Sequence, residues 1–324
     1  KVILAYLSIE SEIYAEKRLS LPQNKAFIRR LKIPVFFDRP VDVKKYEAYI
    51  VPDFQNNKID KISDLLPCAA HFDHHGKSEG GVKADFSLIR TDVGATSTLL
   101  ALILKNIDLE FSDKDMVQVA TALTFGIQTD TDKYNNIKSL DIRALSFLSE
   151  YADRAILQSL NSMPPSPATL EIFDRAMANE VLYKDWGFYG IGYIDSRNRD
   201  SIALAADMIL KGSEQTAVAV FAAVENYKKR ELYLDVSLRT SSNKIDLNRL
   251  IKRITASGGA RKFKGAYQVK LDYFLNTPDK EVLWNLIEET TIDALKKSRD
   301  SLYISGFDTI YDNIKSGLAS LINK

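Results

Sequence analysis

All three histidines of the chain fall in one segment, CAAHFDHHGKSEGG, at positions His71, His74 and His75. Asp73 precedes the adjacent pair, Asp53 ends the apolar run AYIVPDF, and Asp130 lies in GIQTDT. Carboxylate oxygens combined with an imidazole nitrogen suit Mn²⁺ or Mg²⁺ better than zinc. Closely spaced pairs of such ions drive phosphoester hydrolysis. These residue types therefore predict metal-dependent phosphoryl chemistry.

The first half of the chain must position these residues, and its pattern is an alternation of strands and helices. Apolar runs predict strands at 1–8, 48–54 and 68–75, and helical spacing predicts helices at 22–32, 91–107 and 112–127. This alternation predicts a doubly wound, mostly parallel sheet, in which ligands gather at the carboxyl ends of the strands. Asp53, Asp73 and Asp130 would each follow a strand, so we expect their side chains to share one rim of the sheet.

Each of these residues also has a plainer explanation when it is taken alone. A lone Asp-His-His triplet in a surface loop is usually accidental. Asp53 could cap a helix, and Asp130 could close a turn. The metal hypothesis rests on the combination, because all three positions follow predicted strands in order and no histidine is used elsewhere.

The second half of the chain has a different organisation. Three of the nine prolines cluster within 161–170, and a helix is predicted over 168–183. Beyond it, strands are predicted at 186–194, 216–224, 231–240 and 265–274, with helices near 198–211 and 246–255. We therefore predict three parts: a first domain over 1–160, a linker with a helix over 161–184, and a smaller α+β domain with a mixed sheet over 185–324. The last segment, 278–324, is predicted to be helical with an interruption at Gly306.

Composition excludes several classes of protein. Hydrophobic residues make up 45% and charged residues 27% of the chain, which is typical of a globular protein. The net charge of +1 gives no overall attraction to nucleic acid or to a membrane. A single cysteine, Cys68, excludes an internal disulfide framework and a thiolate zinc site, and it favours a cytoplasmic location. We expect no signal peptide and no membrane span, because no apolar run is long enough to cross a bilayer.

The stretches VPDF, FDHH, GATST and GIQTDT, in this order and spacing, resemble the DHH phosphoesterase superfamily. That superfamily includes RecJ-type exonucleases, nanoRNA-degrading oligoribonucleases that also cleave pAp, cyclic-di-AMP phosphodiesterases and family II pyrophosphatases. The stretch SGGARKFKGAYQV, 257–269, resembles the glycine-rich GGGH-like loop of the DHH-associated C-terminal domain. The resemblance thus extends to about residue 275.

The resemblance implies a role for each matching residue and a site for two ions, Mn²⁺ or Mg²⁺. Asp53 would bridge the two ions, and His74 and Asp130 would be further ligands. Asp73 would orient the histidine pair, and His75 would contact the scissile phosphate. A carboxylate that bridges two ions can activate a shared water, so no protein nucleophile is required.

The first motif of the superfamily, H-x-x-x-D-x-D, has no clear match. Tyr6, Glu10 and Glu12 occupy that spacing here. Three explanations are open: the motif lies upstream of Lys1, a loop is absent from this sequence, or the first metal site is degenerate. Glu10 and Glu12 are candidate ligands, but exposed acids in a first helical turn are the commoner explanation of such a pair.

The glycine loop also departs from the family pattern. Ala260 replaces a glycine, and Arg261 stands where the family commonly has histidine. Gly258 and Gly259 would allow close approach of the backbone to a phosphate, which Arg261 could bind bidentately. Arg239, at a predicted strand end, is a second candidate for phosphate binding. Eleven basic residues lie between 228 and 264 against three acids, a pattern that a solvated face would also explain.

Three hypotheses for function follow. The leading one is a two-metal phosphoesterase that hydrolyses a small phosphorylated nucleotide or a short oligonucleotide, bound in a cleft between the metal-bearing domain and the basic glycine loop. The second is a binding or scaffold protein on the same fold with a degenerate first metal site. The third is an inorganic pyrophosphatase or polyphosphatase. We expect no membrane partner, and the tail 286–324 either packs on the second domain or forms a homodimer contact.

Overall fold

The chain separates into two compact units, Lys1–Pro164 and Pro165–Lys324. The computed structural model describes residues 1–15, 18–19, 21–37, 39–55, 62–76 and 81–322, with side chains as far as Leu302. The boundary between the units falls within the proline cluster, inside the segment 161–184. No helix in the described part of the chain combines the length and the apolar character needed to cross a bilayer.

The first unit contains five short strands and seven helices among its described residues. The strands are β1 (Ile13–Ala15), β2 (Val35–Phe37), β3 (Tyr49–Pro52), β4 (Cys68–Asp73) and β5 (Phe86–Ile89). The helices are α1 (Val2–Tyr6), α2 (Pro22–Arg30), α3 (Ile62–Leu65), α4 (Thr96–Asn106), α5 (Asp113–Asp130), α6 (Ser139–Leu148) and α7 (Arg154–Asn161). Strands β1 and β2 form a parallel pair, and β3, β4 and β5 form a separate parallel sheet in that order. The predicted parallel α/β class is confirmed for this half of the chain.

The register of the three-stranded sheet places two of the predicted site residues at one edge. Pro52 of β3 pairs with Phe72 of β4, and the backbone N–H of Asp53 donates to the Phe72 carbonyl at 2.8 Å. Asp53 therefore leaves β3 at the level where Asp73 ends β4. Because parallel strands have their carboxyl ends at the same edge, the two carboxylates come from neighbouring strand ends, as predicted.

Two predicted strands in the first unit are helical instead. The run 1–8 forms α1, in which the Ala5 N–H donates to the Lys1 carbonyl and the Leu7 N–H to Ile3. A short apolar run does not distinguish a strand from a helix by periodicity, which explains this error. The segment 126–131 is not a strand either, because α5 continues through Gly126 to Asp130. Gly126 serves close packing: a Cβ there would collide with the Ser97 side chain of α4.

The second unit is built on one six-stranded mixed sheet. Its strands are β6 (Glu180–Tyr183), β7 (Trp186–Asp195), β8 (Ala217–Asn226), β9 (Glu231–Thr240), β10 (Gly259–Ala260) and β11 (Lys264–Lys270). Their order is β10-β11-β9-β8-β7-β6, with β7 and β8 parallel and the other neighbours antiparallel. The helices are α8 (Pro167–Ala178), α9 (Asp200–Gly212), α10 (Leu247–Ile254) and α11 (Lys280–Ile322). The predicted mixed sheet is confirmed.

Helices cover both faces of this sheet. One core joins α8 and α9 to a face of the sheet through residues such as Ile172, Ile202 and Val220. The other core joins α10 and α11 to the opposite face through residues such as Leu250, Ile287 and Phe221. Strand β8 is buried from Ala217 to Glu225 because it lies between these two layers, which explains its continuous apolar sequence.

Two details of the second half differ from the sequence prediction. The helix predicted over 168–183 ends at Ala178, and its last part forms β6 instead. The predicted interruption at Gly306 is absent, because the backbone of α11 is helical without a break from Lys280 to Ile322. Glycine lowers helix stability by about 1 kcal/mol but does not by itself end a helix.

Candidate metal centre

Asp53, His74 and His75 bring their metal-binding atoms together at the end of β3 and β4. One ligand atom of each lies within 4.8 Å of the others. The Asp53 Oδ1 atom is 3.5 Å from His74 Nε2 and 3.9 Å from His75 Nδ1. The two imidazole rings stand nearly edge to face, with centroids 4.1 Å apart. Although adjacent in sequence, the two histidines thus approach the same carboxylate.

Asp73 makes this arrangement possible by turning the backbone at the end of β4. Its Oδ1 atom accepts the backbone N–H groups of His74 at 2.7 Å and His75 at 3.1 Å, and the His75 Nδ1–H at 2.7 Å. Residues in a continuing strand would alternate faces, so the turn is what places both rings on one side. Asp73 itself is buried, with 1% of its surface exposed.

The same contacts set the charge of Asp73. Burial acts to raise the pKa of its carboxyl group, but the hydrogen bonds from the His75 backbone and ring, the charge of that ring and the His74 N–H outweigh it. The pKa consequently lies below its usual value, and Asp73 is a carboxylate at neutral pH. It holds the proton of the neutral His75 ring on Nδ1. Nε2 is then the ring nitrogen that carries a lone pair.

The GATST stretch supports the cluster from a second direction. Thr96, at the start of α4, donates its hydroxyl to Asp53 Oδ1 at 2.8 Å. The turn before it is held by Asp141 of α6, which is fully buried and accepts from the Gly94 N–H, the Thr98 hydroxyl and the Lys138 N–H. The sequence did not predict this role of Asp141, and its only local signal is an acid in the first turn of the observed helix α6.

The donor set fits a divalent cation. Ligand atoms about 2.1 Å from one ion can be at most about 4.2 Å apart, and both nitrogen–oxygen separations to Asp53 satisfy this limit. His75 Nδ1, however, already donates to Asp73. Asp53 and His74 are therefore the residues best placed to hold an ion, with His75 beside it.

Asp130 is placed differently from the prediction. It is the exposed last residue of α5, where a strand end was expected. It lies outside the group formed by Asp53, His74 and His75, which is the one group of that kind in the described segments. Of the three expected strand ends, two are therefore observed, at Asp53 and at Asp73, whereas Asp130 ends a helix; the ligand roles of these residues stay predictions.

Glu10 and Glu12 also lie outside this group. Both are exposed and follow α1 in a non-helical stretch, so the alternative that they form a first helical turn is wrong, and their role as ligands stays a prediction. Glu12 accepts hydrogen bonds from the hydroxyls of Tyr46 and Tyr14, which lower the pKa of its carboxyl group. Tyr6, at the histidine position of the motif spacing, donates to Asp115 at 2.9 Å and supports the start of α5.

In the second unit, the glycine loop borders a basic pocket of about 460 Å³. Its lining includes Arg239, Gly259, Arg261 and Lys264. Gly258, beside it, has φ +106°, and a Cβ there would lie 2.5 Å from the Ala266 carbonyl oxygen, so only glycine fits. Gly259 has no such constraint. The loop thus exposes backbone and cationic groups together, as a phosphate site requires.

The two predicted phosphate-binding arginines differ in their surroundings. Arg239 is only 7% exposed and donates to Asp207 at 2.6 Å and to the carbonyls of Leu238 and Ala203. Lys264 Nζ lies 3.4 Å from the same Asp207 carboxylate. Arg261 is exposed at the β10–β11 hairpin. Asp207 was not predicted from sequence, where its only signal is a lone acid in an apolar helical run.

Comparisons with known proteins support the fold. No family model matches the chain. A protein of Methanocaldococcus jannaschii, itself uncharacterized, is 28% identical over 291 residues, which are 89% of this chain and 58% of that protein. The chain therefore spans a little over half the length of this relative. The crystal structure of an exopolyphosphatase-related protein of Bacteroides fragilis aligns with a TM-score of 0.58 at 15% identity, covering 93% of this chain and 96% of that one.

Proposed function

We propose that this chain, which has the fold of the DHH phosphoesterases, is a divalent-metal-dependent phosphoesterase that hydrolyses a small phosphorylated nucleotide or a short oligonucleotide. One observation carries the proposal: the convergence of Asp53, His74 and His75 at adjacent strand ends. A carboxylate and a neutral imidazole at these separations suit Mn²⁺ or Mg²⁺. The full site would hold two ions, with Asp130 as a further ligand.

Each residue of the cluster has a separate task in this proposal. A bound ion would lower the pKa of a coordinated water and polarise the phosphate. Asp53 and His74 hold the ion. Asp73 keeps the Nδ1 proton of His75 in place, so that Nε2 is the ring nitrogen that would take a proton from the attacking water and pass it to the oxygen of the departing group. Thr96 orients the Asp53 carboxylate through its hydroxyl.

The basic pocket of the second unit would bind a phosphate that does not react. Gly258 gives the loop its close-packed turn, the Gly259 backbone lines the pocket, and Arg261 supplies a guanidinium with access to solvent. Arg239 is occupied by Asp207, so its contribution would be to shape the pocket and to lend its remaining N–H groups. Binding of this kind is the same in the ground and transition states and lowers KM.

Hydrolysis of the dinucleotide pGpG, followed by chromatography of the products, tests the proposal. We expect turnover with Mn²⁺ that stops in EDTA, and Asp53→Asn should lose it. Asp113→Asn, an exposed acid in the first turn of α5, is the matched control and should remain active. Activity that persists in EDTA, or that survives Asp53→Asn, would refute the metal-dependent mechanism.

A second candidate, inorganic polyphosphate or pyrophosphate as the substrate, has support from the likeness to a protein described as exopolyphosphatase-related. Release of orthophosphate from either compound, measured in parallel with pGpG cleavage, separates the two. The nucleotide proposal holds only if pGpG has the higher kcat/KM.

A binding or scaffold role is a further candidate, because Tyr6 donates to Asp115 and Glu12 accepts from Tyr14 and Tyr46, all within the first unit. Native mass spectrometry of the protein with Mn²⁺ gives the number of bound ions directly. Two tightly held ions per chain would exclude the scaffold role, whereas none would exclude the phosphoesterase.

A further inference from the structure

His71 is the histidine to which the proposed function assigns no task. It lies on β4 two residues before Asp73 and is 3% exposed. Its Nε2 atom is 2.9 Å from the Phe54 carbonyl oxygen. A carbonyl oxygen only accepts, so the ring carries its proton on Nε2. Among the residues that the structure describes, none is within hydrogen-bond distance of Nδ1. The one hydrogen bond of this buried ring is therefore directed at the residue after Asp53, and the same nitrogen lies 3.8 Å from Asp73 Oδ2, beyond hydrogen-bond distance.

Asp53 needs such a contact because of its backbone conformation. Its φ of +58° lies in the left-handed region, which costs free energy for a residue with a side chain. Such a conformation persists where surrounding contacts impose it. Three contacts do so here: Asp53 N–H donates to the Phe72 carbonyl, His71 donates to the Phe54 carbonyl, and the Gln55 side chain donates to the Gly76 carbonyl at 2.7 Å.

We propose that His71 is a positioning residue for the metal centre, acting through the Phe54 carbonyl to hold the Asp53–Gln55 turn. This inference rests on the proposed function, since the turn matters because it presents the Asp53 carboxylate. Without the contact, Asp53 can relax toward ordinary backbone angles, and its Oδ1 atom leaves the position 3.5 Å from His74 Nε2. Thr96 holds the carboxylate itself but not the backbone that carries it.

Two other tasks for His71 give different expectations. The ring could simply fill the core, or Nδ1 could accept a hydrogen bond from a ligand in the pocket of about 280 Å³ that His71, Asp73 and His75 help to line. Glutamine and asparagine distinguish these tasks, because the amide nitrogen of Gln replaces histidine Nε2 and Asn can reach only the Nδ1 position. His71→Leu removes both nitrogens at similar volume.

The test combines two measurements on the full chain. Hydrogen exchange of the Asp53 amide in metal-free protein reports on the turn, and Mn²⁺ titration followed by electron paramagnetic resonance of the free ion reports on the site. We expect His71→Leu and His71→Asn to speed exchange and to weaken Mn²⁺ binding about tenfold or more, as losses of outer contacts to metal ligands do. His71→Gln should stay within about threefold of the wild type. Cys68→Ala, a buried change at the other end of β4, is the control and should alter neither.

The outcomes separate this proposal from the proposed function. Wild-type exchange and Mn²⁺ affinity in His71→Leu would overturn the positioning role, and so would rescue by Asn but not by Gln. If the wild-type protein does not bind Mn²⁺, the metal-dependent function fails. The exchange of the Asp53 amide then still decides whether His71 holds the turn.

Discussion

Replacing His74 and His75 one at a time by alanine should cause two different failures, although the residues are neighbours. His74 Nε2 lies 3.5 Å from Asp53 Oδ1, within the span of two ligands of one ion. His75 is tied through Nδ1 to Asp73 at 2.7 Å and stands farther from Asp53, at 3.9 Å. His74→Ala should therefore weaken Mn²⁺ binding, and His75→Ala should impair turnover with the metal retained.

The magnitudes follow from what each side chain contributes. Loss of a partner of a metal ligand already costs 10- to 100-fold in affinity, so loss of the ligand His74 should cost about 100-fold or more, which is about 2.7 kcal/mol. Excess Mn²⁺ should restore part of the rate. Loss of one group that stabilises the transition state costs about 10²- to 10³-fold in kcat. We expect His75→Ala to fall in that range, with no rescue by added ion.

Mn²⁺ titration and steady-state hydrolysis of pGpG measure both quantities on the same preparations. Circular dichroism melting should show cooperative transitions for both variants, because Asp73 keeps its two backbone donors in each. If both variants bind Mn²⁺ and turn over as the wild type does, the two histidines are core residues and the assignment is wrong. If both lose Mn²⁺ equally, His75 is a ligand as well.

Three further predictions concern other parts of the chain. Asp130→Ala should abolish hydrolysis with a thermal transition unchanged or slightly raised, because a carboxylate at a helix C-terminus opposes the helix dipole; loss of activity through unfolding would contradict a catalytic role. Arg261→Ala should raise KM more than it lowers kcat, whereas Arg239→Ala should lower stability by about 2 kcal/mol, because the hydrogen bonds of its buried guanidinium to Asp207 and to two backbone carbonyls are lost; equal effects of the two variants on KM would refute this division. Hydrogen bonding, first from Lys184, holds the pKa of Asp300 well below its usual value, so the ionised form stabilises the fold above about pH 4 and that contribution is lost at lower pH. The gap in unfolding free energy between the wild type and Asp300→Asn, measured by urea titration, should shrink from pH 6 to pH 3, and a constant gap would contradict the assignment.

The sequence was informative where a feature depends on neighbouring residues. The start of the helix predicted over 112–127 is an example: the Ser112 hydroxyl accepts the Asp115 N–H at 3.2 Å, and both residues belong to one helical turn. The strands that end at Asp53 and Asp73 were also predictable, because their apolar runs have the length of strands and stop at polar residues. Their side-by-side placement then followed from the parallel topology alone.

Errors arose where a tertiary contact decides the outcome. Gly126 looked like a break between a helix and a strand, but it is the place where α5 approaches Ser97 of α4, and the helix continues to Asp130. Nothing local in the sequence indicates that the Arg239 guanidinium pairs with Asp207, which lies 32 positions earlier in the chain, and the phosphate-binding role of Arg239 stays a prediction. Neither partner is identifiable from spacing along the sequence.

Within the metal centre, too, some features were predictable from the sequence and others depend on tertiary contacts. The ligand types are concentrated in a few adjacent residues, but their geometry depends on Asp141, which lies 47 positions after Gly94. A Cβ at Gly94 would come within 2.6 Å of the Asp141 carboxylate and of Thr131, so the glycine is required by close approach, not by a positive φ. That approach lets the Gly94 N–H reach the carboxylate and fixes the turn from which Thr96 contacts Asp53. The glycine in GATST is thus explained by an acid outside the stretch, and the carboxylate at the centre is oriented by residues that no local pattern connects to it.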